Sequence, residues 1–521
     1  MPYALKFALR DAVTFALCCA NSLIVVAADW RFTPSVSLSE TYTDNVFQAP
    51  SDIKSDFITN IAPGVSLTNR GRRVKSTIFY RMQNQFFANN GSLNQTTNFL
   101  GANSSIEVIK DNLFVDGYAS MFPTQENSFG RISNQNRRNL GNGNQVDVIS
   151  YGMTPRYVYH FGSWATFNAS TSFSSTTATR DNGTSNVGGN GSGGDINLSL
   201  ASGRKFAILT WNITHRQRFF NFDSGTQRSN LQSTDLGLGY RVNRYFRINA
   251  SIGDENNSFA GDQNQRSGLS WSLGGTWTPT SRTSISGRFG KRSFGDTKSF
   301  DFSYRLRRVR IGGSYTEDLR TTSELLQQQQ VFQTRDLFGN PIANPNPNGN
   351  IATPIRNLGL LDQVFVSRTF SANFGFQQKR GSITASIYRS EQQSTQTNSA
   401  SDQSTGISVG WQHQLSNRLS TGITADYQRR KGDAQRGNQN SFFVSPFLSY
   451  SISSHLSSQL SFQHSEERGG SGFLGNSFGI NSFGFNGFGL NGFGLNGLGI
   501  NGFGSNDFVE NSLTGSLNYR F

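Results

Sequence analysis

The chain has 521 residues, of which 35% are hydrophobic, 12% aromatic and 15% charged, and its formal net charge is +14 at pH 7. Soluble globular chains usually have about a quarter of their residues charged and disordered chains have few aromatics, so 44 Phe, 15 Tyr and 6 Trp argue against both classes. The mean hydropathy of −0.46 argues against transmembrane helices, which need runs of about 18 apolar residues, and favours β structure with one apolar face.

Residues 1–28 are predicted to be a secretory signal peptide. Lys6 and Arg10 give a basic start, an apolar stretch covers 12–26, and small residues before Asp29 fit a cleavage site. A short anchoring helix is the alternative, although the apolar stretch is short for crossing a bilayer. Both cysteines of the chain lie in this segment, so we expect no disulfides in the mature chain.

From Trp30 onward, apolar and polar side chains alternate with the period of two that places them on opposite faces of a strand. In the first segment Trp30, Phe32 and Leu38 share one parity, and Ser, Thr and Arg occupy the other. Such segments recur at about the length that a tilted membrane strand needs. We predict an all-β fold, a transmembrane antiparallel up-and-down β-barrel of about 22 strands (range 18–24), from about 30–42 to 509–521.

The predicted connections alternate strictly between short turns, such as 110–112 and 243–244, and long polar loops. The long loops are 125–144, 178–193, 256–266, 321–361, 393–403, 431–439 and 467–508. An aromatic residue recurs beside the short turns, as at Tyr240 and Phe246, which is typical of an aromatic girdle at one lipid interface. Hairpin aromatics in a soluble β array are the alternative.

We expect no separate plug domain, because the first predicted strand follows the cleavage site directly. The lumen of a barrel of about 22 strands is too wide for side chains alone to fill, and the long loops 321–361 and 467–508 are the segments that could fold inward. The second contains six copies of an Asn-Gly-Phe-Gly-Leu-type pentapeptide at 476–505. A solenoid-like stack, a flexible adhesive strip and a plug that lines the lumen all remain open for this repeat.

The C-terminal segment carries a predicted barrel-closing signature, Leu517, Tyr519 and Phe521. A terminal Phe with an aromatic two residues before it is typical of bacterial outer-membrane barrels. With the signal peptide, it predicts the bacterial outer membrane, and an even strand number places both termini in the periplasm. The expected partners are outer-membrane lipid, lipopolysaccharide and the barrel-assembly machinery.

Basic residues exceed acidic ones on the parity opposite the apolar face, which we expect to line the lumen. The candidate lumen-lining basic residues are Lys75, Arg81, Arg216, Arg218, Arg241, Arg247, Arg288, Arg305 and Arg310, and the acidic ones are Glu107, Asp116, Asp235, Asp301 and Asp426. A mildly basic pore favours anionic solutes, such as an anionic polysaccharide; the alternative is that these charges form ion pairs that brace the wall. Arg368 shares the parity of Phe370, so we expect a bulge there.

The catalytic motifs in the sequence are accidental matches. The nucleophile-elbow string at 406–410 lies inside a predicted strand with no helix after it, and the dinucleotide fingerprint at 487–492 arises from the pentapeptide repeat. The five histidines show no pair at metal-ligand spacing. We therefore expect no enzyme activity, no catalytic residues, no cofactor and no metal, and the export signal argues against a nucleic-acid partner.

The segments 29–36, 40–47, 336–341 and 517–521 resemble the outer-membrane β-barrel proteins associated with exosortase/PEP-CTERM systems. The resemblance spans most of the mature chain, and it implies a role in exopolysaccharide production and export in Gram-negative bacteria without catalytic residues. The pentapeptide repeat departs from this family pattern.

These features lead to three functional hypotheses. The first is an outer-membrane channel or export component, associated with exopolysaccharide biosynthesis or secretion. The second is a structural or adhesive surface barrel that displays its large loops around a closed lumen. The third is an outer-membrane barrel hydrolase, for which the sequence offers no convincing residue set.

Overall fold

A computed structural model of the chain describes residues 30–125, 145–180, 190–223, 228–259, 267–321, 324, 364–395, 401–432, 438–469 and 507–521. The predicted signal peptide, the pentapeptide repeat and nearly all of the two longest predicted loops lie outside these residues. The described residues form 22 strands and one short 3-10 helix at Gly91–Leu93. The predicted strand number is thus confirmed.

Most strands are 13 to 15 residues long, more than twice the length usual in soluble sheets. The strands are β1 (Trp30–Thr43), β2 (Asp56–Arg70), β3 (Val74–Phe87), β4 (Gln95–Ile109), β5 (Leu113–Gln125), β6 (Gln145–Phe161), β7 (Ala165–Thr179), β8 (Gly191–Ser202), β9 (Leu209–Phe222), β10 (Arg228–Arg241), β11 (Phe246–Ser258), β12 (Ser267–Thr280), β13 (Thr283–Arg292), β14 (Gly295–Arg305), β15 (Val309–Thr321), β16 (Val364–Gln377), β17 (Gly381–Ser394), β18 (Asp402–Gln414), β19 (Leu419–Lys431), β20 (Asn438–Ser451), β21 (Leu456–Gly469) and β22 (Phe508–Arg520). Strands of this length suit a tilted crossing of a bilayer.

Every strand pairs antiparallel with the next one along the chain, and β1 pairs with β22, so the sheet closes into a barrel. At this seam Ser35 lies opposite Arg520 and Thr43 opposite Ser512. The backbone N–H of Phe521 also donates to the carbonyl of Pro34, at 3.1 Å. Closure leaves no unpaired sheet edge, which a bilayer cannot satisfy, and confirms the predicted fold class.

The seam can be tested with a disulfide, because both natural cysteines precede β1 in the sequence. Ser39 lies directly opposite Ser516 across the seam, within the range of Cα separations that disulfides span. We expect the Ser39→Cys and Ser516→Cys variant to oxidise to a cross-linked form with altered mobility on non-reducing gels. Pairing Ser39→Cys with Ser461→Cys, one strand further away, should give no cross-link, and a failure of the first pair alone to cross-link contradicts closure.

The outer face of the barrel is apolar and the inner face is mostly polar. Leu38, Trp271 and Leu517, on three different strands, have 46%, 43% and 46% of their surface exposed. In lipid these side chains are in a favourable environment, whereas in water such a continuous apolar belt would drive aggregation. The alternation seen in the sequence therefore separates a lipid-facing from a lumen-facing surface, and the chain is an outer-membrane-type β-barrel.

The two ends of the barrel differ. We call the end with the short connections, such as 110–112 and 242–245, the turn end; Trp30 and Phe521 lie there, and we call the opposite end the loop end. The predicted strict alternation of short and long connections is wrong, most clearly where only Ser293 and Phe294 join β13 to β14 at the loop end, and also at 223–227, which is shorter than the turn-end connection 203–208. These two strands are the shortest, with 10 and 11 residues, so the wall is lowest there.

The bulge predicted at Arg368 is wrong. The register of β16 against β15 and β17 is continuous through this residue, and Arg368 lies on the outer face opposite Glu317 and Glu391. Arg368 forms an ion pair with Glu391 (Nη1–Oε1, 3.2 Å), and its Nε lies 3.9 Å from Glu317 Oε1. The two carboxylates supply counter-charges for the guanidinium on the outer face, on the loop side of exposed Phe370, so no change of register is needed.

Candidate functional site

The nine predicted basic residues all occupy the inner-face parity of their strands, but the structure divides them into three groups. Arg216 and Arg218 lie in ionic contacts toward the loop end. Lys75 and Arg81 lie on β3, beside aromatic residues of neighbouring strands. The other five are the arginines of β10, β11, β13, β14 and β15: Arg241, Arg247, Arg288, Arg305 and Arg310.

An ionic network joins four strands at the loop end. Arg292 Nε lies 2.6 Å from Glu255 Oε1, and its Nη1 lies 2.8 Å from Asp318 Oδ1. Nearby, Arg218 donates to Glu324 at 3.0 Å and to the carbonyl of Leu319 at 3.1 Å. We call these five charged residues, of β9, β11, β13, β15 and position 324, the loop-end ionic network. Arg216 pairs separately with Asp195, at 2.6 Å.

The inner face of β3 to β5 carries aromatic side chains. Phe114, Tyr118 and Phe122 share the inner-face parity of β5, and the ring of Phe122 lies 6.3 Å from Phe79 on β3. Arg81 stacks over Phe99, with its guanidinium carbon 4.5 Å from the ring centroid. These rings present apolar faces on this sector of the inner wall.

Glycines make room for these rings. A Cβ at Gly101 would lie 2.1 Å from a ring atom of Phe79, and one at Gly152 would lie 2.7 Å from a ring atom of Tyr118. The rings therefore lie flat against the backbone of the neighbouring strand, where they cover a stretch that has no side chain. The same arrangement recurs at Gly406, where a Cβ would lie 2.5 Å from the ring of Tyr388.

Below the aromatic rings, toward the turn end, Lys75 lines a cavity together with Asp116, Tyr118 and Thr154. Asp116 pairs with Arg156 on the next strand, with Arg156 Nε 3.6 Å from its Oδ2. The charge of Asp116 is therefore neutralised by Arg156, a basic residue that the sequence analysis did not name.

The turn end has a different electrostatic character. Arg241 lies directly opposite Arg247 on β10 and β11, and Arg305 lies directly opposite Arg310 on β14 and β15. We call these four residues the arginine arc. Within the described part of the chain, no carboxylate forms an ion pair with any of them, and three of the four are exposed. Two like-charged pairs thus face the lumen at the turn end.

The other predicted lumenal residues lie away from the arginine arc. Arg288 lies on the inner face midway along β13, opposite Gly274 and Ser299. Asp301 is opposite Ser286 and Ser314. The remaining predicted acidic residues, Glu107, Asp235 and Asp426, also occupy inner-face parities.

At the loop end the inner-face polar side chains are buried. Glu510, 1% exposed, accepts hydrogen bonds from Thr43 (2.7 Å) and Gln48 (3.0 Å) across the seam. On β19 the buried Arg430 donates to Gln439 at 2.7 Å. The lumen wall is thus solvent-exposed around the arginine arc and buried near the loops.

Sequence reasoning missed the residues that complete the ionic contacts: Arg156, Asp195, Glu255, Arg292, Asp318 and Glu324. Glu255 and Arg292 stand 37 residues apart in the sequence, so no local pattern connects them. Parity alone indicates that they face inward, but their pairing depends on the low wall at β13 and β14.

The nucleophile-elbow match at 406–410 lies within β18, and the strand continues on both sides of it. The strained strand-to-helix turn that a nucleophile elbow needs is therefore missing there. The fingerprint match at 487–492 lies outside the described residues. Among the residues with described positions, no group of three or more His, Cys, Asp or Glu could hold a metal ion, and no helix is long and apolar enough to cross a membrane.

The chain was compared with family models, curated proteins and solved structures. No family model and no curated protein matches it. Solved structures with a similar fold include a mutant of the ferric enterobactin receptor PfeA from Pseudomonas aeruginosa in complex with enterobactin (TM-score 0.49, 9% identity, 94% of this chain and 81% of that chain). Two others are the open form of the ferric-catecholate import receptor Fiu from E. coli (0.46, 9%, 94% and 82%) and the siderophore receptor PirA from P. aeruginosa (0.44, 11%, 94% and 80%). What those receptors bind is a property of those receptors, and no ligand of this chain follows from a likeness at this level.

Proposed function

We propose that this barrel is an outer-membrane channel or export component for an anionic polysaccharide. The observation that carries the proposal is the arginine arc, Arg241, Arg247, Arg305 and Arg310, on the inner face at the turn end. Like charges directly opposite each other on neighbouring strands destabilise a sheet by roughly 0.2–1 kcal/mol per pair. An anionic solute that binds between the arginines offsets this repulsion, so the like-charged pairs are suited to attract anions into the lumen.

Two further features support a polysaccharide rather than a small anion. The resemblance to barrels of exosortase/PEP-CTERM systems implies exopolysaccharide export. In addition, the flat rings of Phe79 and Tyr118, with the ring of Phe122 beside Phe79, present apolar faces on another sector of the inner wall. The apolar C–H face of a sugar ring packs on such a surface, while arginine forks bind its carboxylate or phosphate groups.

In this proposal the turn end faces the periplasm, with both termini on that side. Membrane barrels of this type have short periplasmic turns and longer extracellular loops. Leu517, Tyr519 and Phe521 then stand on the outer face at the periplasmic end, with 46%, 41% and 63% of their surface exposed. That position suits a first contact with the barrel-assembly machinery.

The proposal is tested by single-channel recording in planar bilayers. We expect the purified barrel to conduct and to prefer anions. Replacing all four arginines of the arc by Gln should lower the anion-to-cation permeability ratio roughly threefold or more, because the basic stretch of the lumen wall no longer concentrates anions.

The matched control replaces four basic residues of the turns at the same end, Arg244, Arg282, Arg307 and Arg418, by Gln. This variant loses the same charge outside the lumen wall and should keep its selectivity. Equal selectivity in the wild type and the arc variant contradicts the proposal.

A closed barrel that displays its loops is the second candidate, and one observation favours it. The inner-face side chains of Thr43, Glu467 and Glu510 near the loop end are at most 2% exposed, as expected where a lumen is filled. This candidate requires that the purified barrel show no conductance at all, in the wild type and in both variants, so the same recordings separate the two functions.

A further inference from the structure

The outer face of the barrel carries a cluster of arginines on the loop side of its apolar belt. The last exposed apolar residues toward the loop end are Ile387 on β17, Ile407 on β18 and Tyr427 on β19, with exposures of 47%, 41% and 43%. These three residues lie side by side on one cross-strand row. The next outward-facing row toward the loops is Arg389, Thr405 and Arg429.

This register places two arginines around one threonine, and we call Arg389, Thr405 and Arg429 the cradle. Arg389 and Arg429 both lie directly opposite Thr405, one on each side, so their Cα atoms are about 10 Å apart. The side chain between them is a short hydroxyl, which leaves space for a ligand and can itself donate a hydrogen bond. Two long guanidinium groups therefore flank one open polar position.

The charge around the cradle is positive. Glu391, two residues beyond Arg389 on β17, shares Arg368 with Glu317, at 3.2 and 3.9 Å, so this trio carries only one net negative charge. Arg389 and Arg429 have no carboxylate partner among the described residues. The side-chain amide of Gln403 turns its oxygen toward Arg389 and accepts hydrogen bonds from Arg389 Nε (2.9 Å) and Nη2 (3.0 Å). These bonds hold the guanidinium of Arg389 toward β18. Lys431, level with Gln403 in the next row, adds a third cation.

We infer that Arg389, Thr405 and Arg429 bind the phosphate of a phosphorylated glycolipid of the lipid A class, whose acyl chains lie against Ile387, Ile407 and Tyr427. Arginine forks match phosphate geometry and bind it through charge-assisted hydrogen bonds. The apolar row on one side and the cations on the other fit a molecule with acyl chains and an anionic head, and not a soluble anion. The inference rests on the proposed orientation, in which the loop end meets the outer leaflet, but it does not depend on conduction.

Binding is measured by native mass spectrometry on the full-length, delipidated barrel in detergent, titrated with diphosphorylated lipid A. We expect Arg389→Gln with Arg429→Gln to weaken binding roughly tenfold or more, because hydrogen bonds to charged groups are lost. The matched control, Arg228→Gln with Lys291→Gln, removes two outer-face cations on β10 and β13 and should bind as the wild type does. The single Arg429→Gln variant gives a second readout with a smaller expected loss if the double variant folds poorly.

Two probes separate a lipid from a free anion. Dephosphorylated lipid A should bind the wild type at least tenfold more weakly, and inorganic phosphate at millimolar concentration should not displace the phosphorylated lipid. Unchanged affinity in the double variant, equal loss in the control, equal binding of the dephosphorylated lipid or displacement by phosphate overturns the inference. A barrel that binds lipid A at this site but does not conduct leaves the inference standing and refutes the channel.

Discussion

A chain that ends at Asp507 should fail to fold into a barrel. Without β22, nine residue pairs with β1 and twelve with β21 are lost, and two sheet edges are left in lipid. Each unsatisfied backbone group there costs several kcal/mol, so the total is on the order of tens of kcal/mol and exceeds the ~5–15 kcal/mol net stability of a typical folded protein. We expect loss of the heat-modifiable band on gels and of the protein from the outer-membrane fraction.

The control for this truncation removes the same length elsewhere. Deleting residues 480–493 from the pentapeptide repeat takes out 14 residues, as many as 508–521 contain, and leaves every described strand intact. This variant should keep its heat-modifiable form. A truncated chain that still gives that form would show that the β1–β22 seam is dispensable and that the barrel is not closed in the way described above.

Arg292→Met is expected to destabilise the barrel by about 3–5 kcal/mol, because it leaves the buried carboxylate of Glu255 and the half-buried one of Asp318 without this counter-charge. Arg292 lies between Glu255, 3% exposed, and Asp318. Methionine keeps much of the volume of the side chain and removes the charge. The free energy of unfolding in denaturant, measured on the barrel in detergent micelles, gives the difference.

Arg288→Met is the matched control, since Arg288 shares strand β13 and the inner face with Arg292 but forms no ion pair among the described residues. We expect it to change the free energy of unfolding by less than about 0.5 kcal/mol. Similar losses in both variants would mean that the destabilisation comes from a lost arginine stem and not from the loop-end ionic network.

The faces of the strands could be assigned from the sequence because the alternation of side chains follows from the geometry of a single extended strand. This is why the strand number and the outward position of residues such as Leu38 and Leu517 are confirmed. The first and last predicted strands also agree with β1 and β22 to within a residue. No tertiary information enters these assignments.

The wrong prediction of a bulge arose where a charged residue, Arg368, interrupts the apolar alternation of its strand. Arg368 has the parity of lipid-facing residues, and a bulge was the simplest way to turn it inward. The structure keeps the register and pairs Arg368 with Glu317 and Glu391 from the neighbouring strands. The sequence contains all three residues, but their proximity depends on how β15, β16 and β17 are aligned.

The charged residues of the lumen show the same difference between what the sequence indicates and what the structure adds. The parity of the side chains placed Arg218, Arg241 and Arg305 together on the inner face. It did not distinguish Arg218, which forms an ion pair, from Arg241 and Arg305, which form none among the described residues. Arg218 reaches Glu324 on a segment 106 residues further along the chain, whereas Arg241 and Arg305 face other arginines. The ion pairs at the loop end agree with the ion-pair interpretation of the sequence, whereas the basic pore at the turn end stays a prediction.

By itself the sequence determined which side chains meet lipid and which meet the lumen, because a two-residue period is a local property of extended backbone. Tertiary structure alone decided which charges are neutralised, because cross-strand register and strand length set the neighbours of each residue, and neither is encoded within one strand. The low wall at β13 and β14 brings Arg292 to Glu255 and Asp318, while the register at the turn end leaves the arginine arc without an acidic partner among the described residues.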